Sequence, residues 1–219
     1  MKPMKISYLF LAILFLGCSE QPIAQPNLKK QDIQPIEVPI KNGLARAYFA
    51  GGCFWCVEAI CESVYGVEES ISGYSGGHTE NPTYEKTNTG RTGHAEAVEV
   101  IYNPMQINFE TLVDMYLGSI DPTQVNGQGP DRGSQYRSII FYQNEEQKQI
   151  AIQKVEELFL VYDKTIAVEI MPFEKFWKAE AYHQNYKKNN PNNPYIRNVS
   201  DKRLREFKEK FPHLLKENN

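Results

Sequence analysis

Apolar and polar positions along this chain follow two periods, and the changeovers fall at glycines and at Asn- or Pro-rich stretches. Residues 6–17 are almost wholly apolar. Residues 21–43 show no apolar period, and Pro22, Pro26, Pro35 and Pro39 stand there among Gln, Asn and Lys. A β-rich run at 45–50 is broken by Gly51-Gly52, and the spacing beyond it predicts a helix over 54–64 that stops at Gly66. A second strand is expected at 67–74. Residues 75–93 are rich in Gly, Thr, Asn and Pro and read as a long loop, which inside a compact domain is usually functional. A strand at 95–102 and a helix at 108–118, with Phe109, Leu112, Val113 and Tyr116 along one face, come next. A second Gly-rich loop spans 121–136, and a strand spans 137–142. Asn144 caps a helix expected to run to 162, and a last strand is read at 167–170. Ser200 is read as the cap of a final helix over 201–211, whose stripe of Leu204, Phe207 and Phe211 predicts a docked surface helix. Alternating strands and helices around one core imply an α+β fold, a single-domain α/β sandwich (ferredoxin-like roll) with one mixed sheet and packed helices.

Length and charge narrow this picture. The 219 residues suit one medium domain with extensions, and a hydrophobic share of 41% against 23% charged suits an ordinary globule. A net charge of −3 gives no footprint for nucleic acid or an anionic membrane surface. Two lysines in residues 1–5 before the apolar run read as a secretory signal; a spanning helix needs about 20 apolar residues, more than this run holds. Leu14-Phe15-Leu16-Gly17-Cys18 resembles a bacterial lipoprotein signal, with Phe15 where Leu is usual, in which the cysteine is lipidated and begins the mature protein. The expected division is a signal peptide at 1–17, the anchor Cys18 with a flexible tether to 43, the main domain at 44–198, and a C-terminal helix and tail at 199–219. The expected location is extracytoplasmic, periplasmic and lipid-anchored, with the membrane met only through that anchor.

Three cysteines remain, Cys53, Cys56 and Cys61, all on one predicted helix. Structural disulfides usually link distant elements, which argues against a framework here. Cys53 stands at the helix start, where outward N–H groups and the dipole favour an anion and lower a thiol pKa. Cys56 is one turn on, so the two sulfurs can meet. Cys61 lies eight residues past Cys53, roughly 12 Å along the axis at 1.5 Å per residue. A disulfide needs Cα atoms within about 7 Å, so Cys61 is expected to be inert and buried. A structural zinc needs four ligands, and His78, His94, His183 and His213 form no second ligand pair. Strand, C-x-x-C and helix in that order also fit a thioredoxin-like oxidoreductase, and Phe54 and Trp55 fit a tethered protein that captures methionine-rich segments.

Five ordered blocks carry a resemblance. They are Gly51-Gly52-Cys53-Phe54-Trp55-Cys56 followed by Glu58; Gly73-Tyr74-Ser75-Gly76-Gly77 with Asn81-Pro82-Thr83-Tyr84; Thr92-Gly93-His94-Ala95-Glu96-Ala97-Val98; Asp121-Pro122-Thr123 with Asp131-Arg132-Gly133-Ser134-Gln135-Tyr136-Arg137-Ser138; and Phe176-Trp177-Lys178-Ala179-Glu180-Ala181-Tyr182-His183-Gln184. From about residue 45 to 197 the chain resembles the A-type peptide methionine sulfoxide reductases. Many members carry resolving cysteines in a Gly-rich tail. This chain has no Cys after Cys61, so the resolving thiol is expected to be Cys56, as in the family's C-x-x-C members, or to come from another molecule.

The resemblance implies thiol-dependent reduction of L-methionine (S)-S-oxide in proteins, and of the free amino acid, as a repair reaction. Cys53 would attack the sulfoxide sulfur and Glu96 would donate a proton to its oxygen, a role that demands a carboxyl pKa raised by burial. Tyr84 and Tyr136 would hold the oxygen, Phe54 and Trp55 would cage the S-methyl group, and Asp131 would organise the site. Cys56 would resolve the Cys53 sulfenic acid as a disulfide. No metal or organic cofactor is implied. The expected partners are methionine-sulfoxide-containing proteins or peptides and an external thioredoxin-like dithiol reductant, with no nucleic acid, and the chain is expected to be a monomer.

Overall fold

A computed structural model of the chain describes residues 27–28 and 33–217. The apolar N-terminal run and Cys18 lie outside the described residues. In chain order the elements are β1 (Asn27–Leu28), β2 (Ala45–Ala50), α1 (Phe54–Glu62), β3 (Val67–Ser75), α2 (Tyr84–Asn88), β4 (Ala95–Tyr102), α3 (Phe109–Gly118), β5 (Gly127–Gln128), β6 (Asp131–Arg132), β7 (Ile139–Tyr142), α4 (Glu145–Leu158), β8 (Glu169–Pro172), β9 (Phe176–Lys178), α5 (Tyr186–Asn189) and α6 (Asp201–Lys210).

Seven strands make one mixed sheet in the order β1-β8-β7-β2-β4-β3-β9. The pairs β1–β8 and β7–β8 are parallel, and the others are antiparallel. The expected α+β architecture with packed helices is therefore present. Side chains alternate along β2 and β4 because successive Cβ atoms point to opposite faces. Ala47, Phe49, Val98 and Val100 face the main core with Val57 and Ile60 of α1 and Leu112 and Tyr116 of α3. Tyr48, Ala50, Ala95 and Ala97 face a smaller second core. There Tyr48 stacks on Phe173 with ring centroids 3.8 Å apart. A fully buried Phe such as Phe49 contributes about 1.5–3 kcal/mol through its burial.

Two long-range restraints aim the β2–α1 junction. The Tyr116 hydroxyl donates to the Ala50 carbonyl at 2.6 Å, satisfying the last acceptor of β2. Gly52 has φ +80, and a Cβ there would lie 2.5 Å from Cβ of Gln128. Only glycine meets both the left-handed backbone and the close approach of the β5 strand.

Several elements differ from the sequence reading. The strand read as last is followed by β9, which pairs with β3 at the sheet edge. A strand of three residues is too short to show a period. Gly73 admits β9, since a Cβ there would meet Phe176 at 2.3 Å. The first Gly-rich loop contains α2, capped by Thr83, and the second contains the β5–β6 hairpin. α4 ends at Leu158 rather than running to 162. Leu160 and Val161 are 87% and 76% exposed, so no packing extends the helix through them. Ser200 does not cap α6: its backbone is αR, and residues 196–200 form a π-helical turn that runs into the helix. α6 itself is docked on the domain, with Phe207 buried.

The segment read as a tether is held along its second half. The Ile36 N–H donates to the Phe173 carbonyl at 2.7 Å, and the Val38 N–H donates to Oε1 of Gln143 at 2.9 Å. Residues 27–28 pair with β8.

Candidate active site

The β2–α1 junction places Cys53 as the residue before the first turn of α1 and Cys56 inside that turn. The Cys56 N–H donates to the Cys53 carbonyl at 3.1 Å, so the two residues share one turn as their spacing predicts. Cys53, Cys56 and Cys61 are all free thiols and buried.

The charge on this pair differs from the sequence expectation, in which the helix start lowers the Cys53 thiol. Instead burial pushes it well up, and its hydrogen bond to Cys56 and the nearby Glu96 add to the rise. Cys56 is the thiol held down, first by the hydrogen bond it accepts from Cys53 and then by Arg203. A half-dipole at a helix start is worth about 0.3–1 kcal/mol at exposed positions, less than the desolvation of a thiolate. Within the pair the shifts therefore run in opposite directions, Cys53 up and Cys56 down. Cys61 is buried, with its thiol pushed up to about 12 by that burial, as expected of an inert residue.

Glu96 comes to the same place from β4. Its neighbours Ala95 and Ala97 face the second core, so the alternation of the strand turns Glu96 toward α1. It is 2% exposed, and the Phe54 N–H donates to its Oε2 at 3.0 Å. Burial raises its pKa to about 8, against the lowering effect of that hydrogen bond. The carboxyl is thus protonated at neutral pH, which is what a proton donor requires.

Cys53, Phe54, Trp55, Tyr84, Glu96, Asp131, Tyr136, Asn193 and Tyr195 line one cavity of about 210 Å³. All seven residues named from the resemblance other than Cys56 meet there, although they come from α1, α2, β4, β6 and the turn before β7. Burial raises the pKa of both Tyr84 and Tyr136, so their hydroxyls remain donors. The Tyr136 turn is anchored by Arg137, which donates to the carbonyls of Ser134, Gly76 and Gly93 at 2.9, 3.3 and 3.0 Å and so ties three loops together.

Other residues of the site carried no sequence expectation. The Tyr195 hydroxyl donates to Oδ2 of Asp131 at 2.7 Å and lies 3.8 Å from Sγ of Cys56. Trp55 donates from Nε1 to Nδ1 of His183 at 3.1 Å and stacks on Tyr186 with centroids 3.8 Å apart. Glu180 accepts from the Tyr84 N–H at 2.9 Å and from the Tyr74 hydroxyl at 2.9 Å. His183 and Glu180 fall within the fifth block, which marked them without a role. Tyr195 follows Asn193-Pro194 in a polar stretch, and its only local signal was an aromatic in loop sequence.

Comparison with known proteins agrees with this geometry. Residues 45–215 match the family model described as peptide methionine sulfoxide reductase. The chain is 46% identical over 171 residues to peptide methionine sulfoxide reductase MsrA of Pasteurella multocida, covering 78% of this chain and 98% of that protein. It is 44% identical over 173 residues to the MsrA of Acinetobacter baumannii, covering 79% and 99%. Among solved structures, methionine sulfoxide reductase A of Corynebacterium diphtheriae superposes with TM-score 0.62 at 36% identity, covering 72% of this chain and 82% of that one. The reduced form of Mxr1 from Saccharomyces cerevisiae superposes with TM-score 0.66 at 31% identity, covering 73% and 93%.

Proposed function

Because the chain belongs to the peptide methionine sulfoxide reductase family, we propose that the cavity holds a methionine sulfoxide between Cys53 and Glu96. The chain reduces methionine sulfoxide by thiol chemistry; the assignment of steps to residues is our reading. The observation that carries it is a buried carboxyl, protonated at neutral pH, sharing one aromatic cavity with a cysteine at a helix start.

A sulfoxide sulfur is a poor electrophile until its oxygen is protonated. Glu96 donates that proton, and Tyr84 and Tyr136 hold the oxygen by hydrogen bonds. Phe54 and Trp55 cage the S-methyl group, where a sulfur–aromatic contact is worth about 0.3–1.5 kcal/mol. Cys53 passes its proton along the existing hydrogen bond to Cys56 and attacks the sulfur. That attack joins the two sulfurs; the oxygen then passes to the Cys53 sulfur as this bond and the substrate's S–O bond break, so methionine leaves as the reduced product and Cys53 becomes a sulfenic acid. Cys56 then attacks the Cys53 sulfur, the sulfenic oxygen leaves as water, and a Cys53–Cys56 disulfide remains. A thioredoxin-like dithiol reduces it by exchange and is itself oxidised. By resemblance the substrate is the S epimer at sulfur, in proteins and as the free amino acid.

The test is methionine release from a methionine-sulfoxide peptide with each of two reductants. Cys56→Ser is expected to keep releasing methionine with dithiothreitol, which reduces the sulfenic acid directly, more slowly at neutral pH because Cys53 has lost its proton acceptor. With thioredoxin as sole reductant the same variant is expected to stop. Normal turnover of the variant with thioredoxin would show that another thiol resolves Cys53.

We also infer export from the sequence of residues 1–18, with the mature chain beginning at a lipidated Cys18. Support comes from the basic start, the short apolar run and Gly17 before the cysteine. Mass spectrometry of protein purified from membranes is expected to find an acylated N-terminal Cys18. An unmodified Cys18 within a longer chain would refute it.

A further inference from the structure

Arg203 stands on α6, a helix that the sequence pattern sets apart from the main domain. The structure puts its guanidinium behind the nucleophile loop. Cβ atoms built on Gly52 and Gly51 would lie 3.4 Å from its Nη1 and 3.8 Å from its Nη2. Its Nε donates to the Ser119 carbonyl at 3.0 Å, which fixes the side chain. Its Nη2 is buried and has no hydrogen-bond partner among the described residues, and the same is true of the Ser200 hydroxyl one turn earlier. Two buried donors left open on one element are costly, since each loses its water without a replacement. The Cys56 thiol is held down first by its hydrogen bond with Cys53, and Arg203 and Ser200 add to this from α6 and the turn before it. An anion is what such a pair of donors accepts.

We propose that Arg203, together with Ser200, is a positioning residue for the second thiol, holding Cys56 as the anion that attacks the Cys53 sulfenic acid. The C-terminal helix thereby takes part in the second half of the reaction. The step balances: Cys56 gives the proton it took from Cys53 to the departing oxygen as its sulfur bonds to Cys53, the sulfenic S–O bond breaks, and water leaves with that proton and the one donated by Glu96. The other titratable groups by Cys56 are Cys53 on its own helix, Glu96 from β4 and Tyr195, whose hydroxyl donates to Asp131. Glu96 carries its proton at neutral pH, so the charged group near Cys56 that favours an anion is Arg203.

The proposal rests on Cys56 as the resolving thiol, so its test reads Cys56 without turnover. In a Cys53→Ser background, the ultraviolet absorbance of the Cys56 thiolate is titrated against pH. Arg203→Gln is expected to move the titration midpoint upward by about one pH unit, while Arg203→Lys leaves the midpoint close to that of the parent. With both cysteines present, disulfide formation after one equivalent of sulfoxide is expected to slow about tenfold at neutral pH in Arg203→Gln and to recover at alkaline pH. An unmoved titration, or a loss of rate equal at every pH and shared by the Lys variant, overturns the proposal. If Arg203→Gln does not fold, Ser200→Ala in the same background carries the test, and an unmoved titration there is equally fatal. Failure of this titration leaves the resolving role of Cys56 intact; that role fails in the Cys56→Ser assay with thioredoxin.

Discussion

Cys53→Ser is expected to reduce methionine release from a methionine-sulfoxide peptide to the level without enzyme, with either reductant and even in a single turnover. The substitution replaces sulfur by oxygen at a buried position at the entrance of α1, so shape and packing change little. What changes is the chemistry. The reaction moves an oxygen atom from one sulfur to another and oxidises the acceptor, and a serine hydroxyl has no accessible oxidation step of this kind. It also ionises far above the pH range in which a thiol does. No other described residue of the cavity is a thiol, because Cys56 is not among the residues lining it. A thermal melt close to that of the parent chain would establish that the variant is folded. Stoichiometric release of methionine by the folded variant would overturn Cys53 as the acceptor of the oxygen.

Glu96→Gln is expected to lower kcat by about 10²–10⁴, the usual contribution of a positioned general acid. Glutamine still accepts the Phe54 N–H, so the junction keeps its geometry and the loss is chemical. The proposed role of proton donor needs Glu96 protonated. With its pKa raised to about 8 by burial, the parent's activity is expected to hold through neutrality and fall as pH rises past 8. In Glu96→Gln this alkaline fall should vanish along with most of the rate. Stability shifts in the same sense. The folded carboxyl binds its proton more tightly than the unfolded one, so the folded state is favoured below the unfolded value. That advantage is lost as pH rises through the folded value. Melting temperature measured between pH 4.5 and 8 should therefore decline more steeply in the parent than in Glu96→Gln, whose amide does not titrate. Identical slopes, or a pH–rate profile unchanged by the substitution, would remove Glu96 from the role of proton donor.

The elements with a sustained period are legible in the chain's own pattern. β2, α1, β3, β4 and α3 fall within a residue or two of their expected bounds, because each has enough residues to show a face. The caps Asn108 and Asn144 accept from the backbone N–H groups of Thr111 and Gln147, as their residue types suggest. Short elements are not legible in that way. β1, β5, β6 and β9 hold two or three residues each and exist because a neighbouring strand pairs with them. α5 and α2 are too short to be stable on their own and take their shape from packing and, for α2, from the Thr83 cap.

By itself the sequence determined the order of strands and helices, the i, i+3 placement of Cys53 and Cys56, the isolation of Cys61, and the family through five motifs. All of these depend on neighbours along the chain. Only the tertiary structure decided which thiol is held down, since local helix position argued for Cys53 while burial pushes Cys53 up and the Cys53 hydrogen bond, with Arg203, holds Cys56 down. It also turned Glu96 from a charge on a strand into a protonated acid, through burial and a donor 42 residues away. The same holds for Tyr195, joined to Asp131 across 64 positions, and for Arg203, whose carbonyl partner Ser119 is 84 positions distant. A pKa depends on the solvent and charge around a group, and that surrounding is assembled only when distant segments pack.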